Sequence, residues 1–232
     1  MNLDAVHRGI FIPFTRMGNV TSEDLFEPRE QEIFDFYERN QARYSRAMDV
    51  GANIGIHTVL MAKQRWQVLA FEPDPQHYEH LLANIKRNSV ADRVVHYQFA
   101  LDNKMGEVDF VRVLGNTTAS HIAGSREFHG EVERFKVPTL DCRAYFDLVD
   151  FAKIDVEGHE AALLMTVTPE QAKRIDFMVE VGSLANAEAI FSHFHGWARM
   201  WSQKTGWKQV KALGDMPTHY THGSLFIGEQ WA

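Results

Sequence analysis

The chain has 232 residues, 45% of them hydrophobic and 24% charged, a balance typical of a globular protein with one large domain. The formal net charge of −7 argues against nucleic acid as a partner, because a phosphate backbone is repelled by an acidic surface. The single cysteine, Cys142, excludes an intrachain disulfide, and no apolar run is long enough to span a membrane.

The first 45 residues are predicted to form an N-terminal helical extension. Pro28 suits the first turn of a helix, and an apolar stripe runs from Ile33 through Tyr37 to about Asn40. We expect residues 46–232 to form the main domain. Charged residues interrupt the short apolar stretches at the N-terminus, unlike in a signal peptide, so we expect a cytoplasmic protein that does not bind a membrane.

From Ser45 onward the chain alternates between strand and helix patterns. Apolar runs predict strands at Ala47–Val50, Gln67–Phe71 and Val94–Leu101, and apolar residues at helical spacing follow the first two runs. Strands that alternate with helices indicate a parallel sheet covered by helices on both faces. The predicted fold class is therefore α/β, with a single doubly wound sheet.

The middle of the chain interrupts this alternation. Glu107–Leu114 and Phe135–Leu140 are predicted to be additional strands, separated by a polar loop at residues 115–130. The wound pattern then resumes with strands at Phe151–Ile154 and Ile175–Val181.

The C-terminal part is predicted to contain one helix and a closing pair of strands. Ile190, Phe194, Trp197 and Trp201 share one helical face. The closing strands are predicted at Trp207–Leu213 and Ser224–Gly228.

An acidic strand end followed by a glycine turn is the strongest motif in the chain. Residues Asp49–Gly55 read Asp-Val-Gly-Ala-Asn-Ile-Gly, and Gly51 permits a tight turn and a close approach to a ligand. The spacing matches neither the dinucleotide fingerprint nor the phosphate-binding loop. It suits a nucleoside ligand with a small charged tail and no pyrophosphate, and the Asp49 carboxylate would attract an ammonium or sulfonium group.

Two further acidic residues follow predicted strands. Glu72 ends the second strand, 72 − 49 = 23 residues after Asp49. A carboxylate at about this distance accepts hydrogen bonds from ribose hydroxyls in folds of this class. Asp102 follows the third strand, where its carboxylate either accepts from the exocyclic amine of an adenine or forms an ordinary turn with Asn103.

Four segments in this order resemble the FkbM family of S-adenosylmethionine-dependent methyltransferases. They are Asp49–Gly55, Phe71–Asp74, Thr139–Asp141 and Lys153–Glu160, and together they cover about residues 47–182. The first two segments occur in many methyltransferases, whereas the last two are more distinctive.

The resemblance implies a Rossmann-like methyltransferase fold, in which a mostly parallel seven-stranded sheet has an antiparallel last strand. It implies S-adenosylmethionine as the cofactor, with Asp49, Gly51, Asn53 and Gly55 at the methionine part and Glu72 at the ribose. It also implies methyl transfer to an oxygen of a small molecule, either a natural product or a sugar. The sequence does not specify the oligomeric state.

Acidic residues and a histidine crowd the end of the fourth wound strand. We expect this strand to lie beside the first, so that its end faces the transferred methyl group. A hydroxyl acceptor must lose its proton, and His159 is the natural base because free imidazole titrates near neutral pH. Asp155 is an alternative base or a stabiliser of the sulfonium, and Glu157 is a candidate for orienting the acceptor.

Other arrangements of this region stay open. The acidic residues and His159 also form a donor set for a divalent metal, although we predict that no metal binds. His121, in the polar loop, is a second candidate base, and Glu180 on the fifth strand is expected to face the cleft.

Two other functions are compatible with these motifs. An N-methyltransferase acting on an amine or a peptide would need less help from a base, but the chain lacks the Asn-Pro-Pro-Tyr or Asp-Pro-Pro-Tyr segment of base methylases. A non-catalytic cofactor-binding module would keep the fold without turnover. The intact glycine turn and Glu72 argue against such a module.

Overall fold

The computed structural model describes residues 5–231. Residues 1–4 and 232, the outer ends of the two predicted segments, lie outside the described residues. The described strands are β1 (Ala5–His7), β2 (Ile10–Ile12), β3 (Arg16–Met17), β4 (Val20–Thr21), β5 (Arg46–Val50), β6 (Gln67–Phe71), β7 (Val94–Tyr97), β8 (Ala100–Asp102), β9 (Gly106–Val113), β10 (His121–Ile122), β11 (Val132–Asp141), β12 (Phe151–Ile154), β13 (Asp176–Glu180), β14 (Met200–Ser202), β15 (Lys208–Gln209) and β16 (Ser224–Ile227). The described helices are α1 (Pro28–Arg39), α2 (Ile56–Lys63), α3 (Pro75–Arg87), α4 (Arg143–Phe146), α5 (Glu160–Leu164), α6 (Pro169–Ala172) and α7 (Leu184–Phe194).

The central sheet has the strand order β15-β14-β16-β13-β12-β5-β6-β7. The five strands from β13 to β7 are parallel, and β16 runs antiparallel to β13. The predicted doubly wound α/β fold with an antiparallel last strand is confirmed. The predicted pairing of the first and fourth wound strands is also confirmed, because β12 lies directly beside β5.

Helices cover both faces of this sheet. Alternate residues of β5 point to opposite faces, so that Ala47 packs in one hydrophobic cluster whereas Met48 and Val50 pack in the other. Helices α1, α2 and α3 contribute to the first cluster, and α5 and α7 contribute to the second. In the described residues no helix combines the length and the apolarity that are needed to cross a bilayer.

The C-terminal end of the sheet differs from the prediction in two ways. The sheet has eight strands among the described residues instead of seven, because the two-residue strand β15 extends the edge next to β14. The predicted helix through Trp201 is wrong beyond Phe194. Gly196 adopts a φ of +93° after the end of α7, and Trp201 lies in β14.

A second sheet is built from the middle of the chain, in the order β10-β9-β11-β8. The two additional strands are confirmed as β9 and β11, which form a long antiparallel hairpin. The single strand predicted at Val94–Leu101 is wrong, because β7 stays in the central sheet while β8 pairs in parallel with β11. The segment between β9 and β11 then lies over the carboxyl ends of β5 and β6, where it lines two cavities.

The N-terminal segment contains two short antiparallel hairpins, β1–β2 and β3–β4, before the predicted helix α1. The hairpins were not predicted. The ring of Phe36 on α1 lies 5.7 Å from the ring of Phe151, 5.2 Å from that of Phe226 and 4.8 Å from that of Trp231, measured between centroids. Helix α1 therefore packs on the central sheet, and the division of the chain at residue 46 stays a prediction.

Replacing Phe36 with alanine should lower the free energy of unfolding by about 3–5 kcal/mol, because the buried ring would leave a cavity between α1 and the sheet. Urea denaturation followed by circular dichroism measures this change. The control Leu148→Ala removes a side chain that is 49% exposed, and it should change the free energy by less than about 0.5 kcal/mol. A Phe36→Ala variant as stable as the control would contradict the packing of α1.

Candidate active site

The glycine turn after β5 contacts the end of β12. Gly51 has a φ of +77°, and a Cβ atom at this position would lie 1.8 Å from the carbonyl oxygen of Asp155. Only glycine permits this approach, because any larger residue would push the two strand ends apart. Gly55 has a φ of +90°, and its missing side chain leaves room for Leu81 of α3.

Glu72 ties the glycine turn to the start of α3. Its Oε2 accepts a hydrogen bond of 2.7 Å from the backbone N–H of Asn53, and its Oε1 accepts one of 2.8 Å from that of Asp74. Burial raises the pKa of Glu72 to about 8, although the two backbone donors favour the ionised form. Each carboxylate oxygen keeps a further lone pair for a ligand.

The first of two cavities lies over the ends of β5 and β6. Glu72 and Asn53 form its polar side. Its apolar wall is formed by Phe71, Phe99, Leu101, Phe110, Ile122 and Val156. Three carboxyl groups also line this cavity, those of Glu72, Asp155 and Glu157. Such a lining suits a nucleoside, with the base against the apolar side chains and the ribose against Glu72.

The second cavity lies between α1, the glycine turn and the ends of β12 and β13. Glu180 lines this cavity, as the sequence led us to expect. The two cavities adjoin, because five residues line both of them. These residues are Gly51, Asn53, Thr118, Asp155 and Glu157.

A buried lysine lies beneath the shared wall. Lys153 pairs in register with Asp49 of β5, and its Nζ lies 3.7 Å from Asp49 Oδ1 and 3.1 Å from Asp155 Oδ2. Burial opposes the charge of this ammonium, but Asp155 and Asp49 outweigh burial and raise the pKa of Lys153 above its usual value. Lys153 therefore stays charged at neutral pH.

Asp155 and Glu180 have opposite charge states. Burial opposes ionisation of Asp155, but Lys153 and a hydrogen bond from Glu180 hold the pKa of Asp155 below its usual value. Burial and the charge of Asp155 raise the pKa of Glu180 well above its usual value. Within this pair Asp155 therefore favours the ionised form, and Glu180 favours the protonated form that donates the hydrogen bond.

Glu157 lies next to these groups at a backbone φ of +54°. Burial and the charge of Asp155 raise the pKa of Glu157 to about 8, although Glu157 forms an ion pair with Arg126. Carboxylate oxygens of Asp155, Glu157 and Glu180 lie within 4.8 Å of one another. A divalent cation at this cluster would compete with Lys153 and Arg126, which already contact two of the three carboxylates.

His159 and Asp102 lie outside the walls of both cavities. The His159 Nε2 is 2.9 Å from Asp102 Oδ1, so the two side chains pair with each other. Asp102 lies away from the first cavity because β8 pairs with β11 in the second sheet, and this course places Leu101 on the cavity wall instead. The roles of His159 as a base and of Asp102 at the adenine stay predictions, and neither side chain lines a cavity in this structure.

Asp49 lies behind the glycine turn and is fully buried. Its Oδ2 accepts a hydrogen bond of 2.5 Å from the Thr58 hydroxyl, while its Oδ1 has no hydrogen-bond partner among the described residues. A buried carboxylate oxygen without a partner is uncommon. Asp49 lines neither cavity, and its Oδ1 lies 3.7 Å from the Lys153 Nζ, so this carboxylate serves as the buried counter-charge of Lys153 behind the turn.

The polar loop after β9 contributes to both cavities. Thr118 lines both of them, and Asn116 lines the second. His121 is buried with its Nδ1 2.9 Å from the carbonyl oxygen of Ala119, and it lies on neither wall. The loop thus reaches the site, but the geometry does not support His121 as a second base.

The wall residues that the sequence analysis missed include Lys153, Glu30 and His57. Lys153 lies inside one of the distinctive segments, where its register with Asp49 was a usable signal. His57 lies two residues after Gly55, and its partner Glu30 lies on α1. No local spacing connects these last two residues.

A family model described as the Methyltransferase FkbM domain matches residues 49–206. The chain belongs to the FkbM methyltransferase family. The match includes the glycine turn, Glu72 and the end of β12, and it identifies the matched region as an S-adenosylmethionine-dependent methyltransferase domain. No curated protein sequence matches the chain.

Solved structures of low sequence identity are similar to this one. A SAM-dependent methyltransferase from Agrobacterium tumefaciens is 8% identical, with a TM-score of 0.52 over 97% of this chain and 68% of that chain, and it shares the fold. Methyltransferase FkbM from Methylobacillus flagellatus KT is 14% identical, with a TM-score of 0.49 over 79% of this chain. The match spans 43% of that FkbM chain. An O-methyltransferase from Bacillus cereus in complex with SAH is 10% identical, with a TM-score of 0.46 over 87% of this chain and 80% of that chain.

The residues of the first cavity fit S-adenosylmethionine. Glu72 retains acceptor capacity at the expected distance from the glycine turn, and the apolar wall beside it suits the adenine. Asp155, which lines both cavities and is held ionised by Lys153, suits the positive charges of the methionine part.

Replacing Lys153 with methionine should lower the free energy of unfolding by about 3–5 kcal/mol, because Asp49 and Asp155 would lose the cation between them. Urea denaturation at pH 7 measures the loss. The control Lys136→Met removes an ammonium that is 58% exposed and pairs with Glu107 and Asp109, and this change should alter stability by less than about 1 kcal/mol. Equal effects of the two changes would contradict the role of Lys153.

Proposed function

We propose that the protein transfers the methyl group of S-adenosylmethionine to a hydroxyl oxygen of a small molecule, such as a natural product or a sugar. The observation that carries this proposal is the shared wall at Asp155 and Glu157, which faces both cavities. A donor in the first cavity and an acceptor in the second meet at this wall, as direct transfer between two bound ligands requires. When bound, S-adenosylmethionine supplies a methyl group activated by a positively charged sulfur.

On the donor side, Glu72 accepts hydrogen bonds from the ribose hydroxyls. Gly51, Asn53 and Gly55 present the glycine-turn backbone to the methionine part, and Asp49 supports the ammonium from behind the turn. These roles follow from the position of the turn between the two cavities and from the free acceptor oxygens beside it.

On the acceptor side, Asp155 stabilises positive charge at the shared wall, because Lys153 and Glu180 keep it ionised. Glu157, held by Arg126, orients the acceptor hydroxyl. Since displacement at a methyl group needs the reacting atoms in line, placement of the acceptor accounts for much of the rate.

An amine acceptor is the second candidate. Acidic residues outnumber the two basic ones, Lys153 and Arg126, on the wall of the second cavity, even when Glu157 and Glu180, whose pKa values are raised, are set aside. The six acidic residues are Asp24, Glu27, Glu30, Asp155, Glu157 and Glu180. The wall therefore suits an acceptor that carries a positive charge in its resting state.

Replacing Glu72 with alanine should weaken S-adenosylmethionine binding by about 1–3 kcal/mol through loss of the ribose hydrogen bonds. Isothermal titration calorimetry measures the affinity, and thermal denaturation confirms that the variant is folded. Glu79→Ala on the exposed side of α3 is the matched control and should leave the affinity unchanged. Unchanged affinity in the folded Glu72→Ala variant would remove Glu72 from the cofactor site.

The acceptor class is tested by measuring S-adenosylhomocysteine release with a panel of small hydroxylated compounds and a matched panel of amines. We expect turnover with hydroxylated compounds, and we expect Asp155→Asn to lower kcat about 100-fold with less than threefold change in cofactor affinity. Turnover with amines alone would replace the proposal by N-methylation. Cofactor binding without turnover on either panel would favour a non-catalytic module.

A further inference from the structure

Arg112 is a buried arginine on β9 that lies on neither cavity wall. Its guanidinium meets the carboxylate of Asp74, just before α3, through two hydrogen bonds. Nε donates to Asp74 Oδ2 at 2.7 Å, and Nη2 donates to Asp74 Oδ1 at 2.7 Å. Two parallel bonds of this kind fix the direction of a carboxylate as well as its distance. Among the described residues, Arg112 supplies the only donor to Asp74 Oδ2.

The hairpin of β9 and β11 holds this guanidinium in place. Glu133 lies opposite Arg112 in register, and its Oε2 accepts a hydrogen bond of 2.5 Å from Arg112 Nη1. The ring centroid of Phe135, also on β11, lies 4.7 Å from Arg112 Cζ. A planar guanidinium that is paired on one side and stacked on an aromatic ring has little freedom left. The second sheet therefore presents Arg112 to Asp74 in a fixed orientation.

Asp74 passes this constraint to Glu72. The backbone N–H of Asp74 donates a hydrogen bond of 2.8 Å to Glu72 Oε1, and the Asp74 carboxylate accepts one of 2.8 Å from the backbone N–H of Gln76 in α3. Pro73, between Glu72 and Asp74, limits the backbone further because its ring fixes φ. A change in the position of the Asp74 carboxylate would therefore move the N–H group that orients Glu72.

We propose that Arg112 is a positioning residue for recognition of the cofactor ribose. Through Asp74 it holds the Glu72 carboxylate in the orientation that accepts hydrogen bonds from the ribose hydroxyls. This inference rests on the proposed role of Glu72 at the ribose, and it is independent of which acceptor is methylated. Since Arg112 lines neither cavity, it acts on the ligand only through Asp74 and Glu72.

A purely structural role of the ion pair leads to a different expectation. The second sheet also brings Phe110 and Ile122 to the apolar wall of the first cavity. If Arg112 served only to attach this sheet to α3, its loss would disturb that wall and weaken every adenosine ligand to the same extent. Loss of a positioning residue weakens only those ligands that carry the ribose hydroxyls. A ligand without these hydroxyls separates the two roles.

The first test is calorimetric titration with S-adenosylhomocysteine and with its 2′,3′-dideoxy analogue, which lacks both ribose hydroxyls. The wild type should bind S-adenosylhomocysteine about 10- to 100-fold more tightly than the analogue, and Glu72→Ala should bind the two nearly alike. Arg112→Lys keeps the positive charge beside Asp74 but not the two-bond geometry, and Arg112→Met removes both. Each Arg112 variant should lower the ratio of the two affinities at least about fivefold and change the affinity for the analogue less than about threefold.

The matched control is Arg143→Lys. Arg143 forms a similar two-bond pair with Asp141, but at an exposed position away from both cavities, so this variant should keep the wild-type ratio. Thermal denaturation identifies the folded variants, and Arg112→Lys decides the result if Arg112→Met does not fold.

The two affinities also separate the possible failures. An unchanged ratio in folded Arg112→Lys, or equal weakening of both ligands, would overturn the positioning role while Glu72 keeps its place at the ribose. A wild type that binds both ligands alike would remove Glu72 from the ribose and overturn the proposal with it. Neither titration depends on finding the methyl acceptor.

The second test needs no ligand. Hydrogen exchange followed by NMR in the free protein measures the protection of the Asp74 amide, which donates to Glu72. Arg112→Lys should speed its exchange at least about tenfold. The amide of Val59 in α2, which donates to the Gly55 carbonyl at 2.9 Å, should exchange at the wild-type rate. Unchanged exchange of the Asp74 amide in Arg112→Lys would overturn the proposed link from Arg112 to Glu72.

Discussion

A buried ammonium group between two strand ends is the constraint on which the site depends. Asp49 and Asp155 lie at the ends of neighbouring parallel strands, and the fully buried Asp49 carboxylate would repel that of Asp155. Lys153 lies between them and lets the two strand ends approach. Gly51 completes this approach because it has no side chain to meet the Asp155 carbonyl. The wall shared by the two cavities is the outer surface of this arrangement.

The parts of the fold that were predictable from the sequence are those buried on both faces. Strands β5, β6, β12 and β13 are buried and mostly apolar because helices cover both sides of them. The charged exceptions inside β5 and β12 are Asp49 and Lys153, which lie opposite each other in register. The short hairpins near the N-terminus and strand β14 have no such pattern. They form because of contacts with distant segments. The spacing of Trp197 and Trp201 is typical of a helix, but α7 ends before the positive φ of Gly196.

The site was predictable where one short segment supplies both the turn and the side chain. Gly51, Asn53, Glu72, Asp155 and Glu157 all lie on the cavity walls for this reason. The sequence was less informative for side chains whose neighbours come from a strand that joins the second sheet or from a helix that is distant in the chain. The turn of β8 into the second sheet directs Asp102 to His159, and the partner of His57 comes from a helix 27 residues earlier in the chain, at Glu30.

The wall shared by the two cavities has a thermodynamic consequence. Five residues belong to both cavities, so a ligand in one cavity changes the environment offered to a ligand in the other. By linkage, the factor by which the cofactor alters acceptor affinity equals the factor by which the acceptor alters cofactor affinity. Loss of the methyl cation removes one positive charge from this wall. S-adenosylhomocysteine, which remains after transfer, lacks the positive charge on sulfur. The carboxylates that attract the charged donor therefore hold this product less tightly.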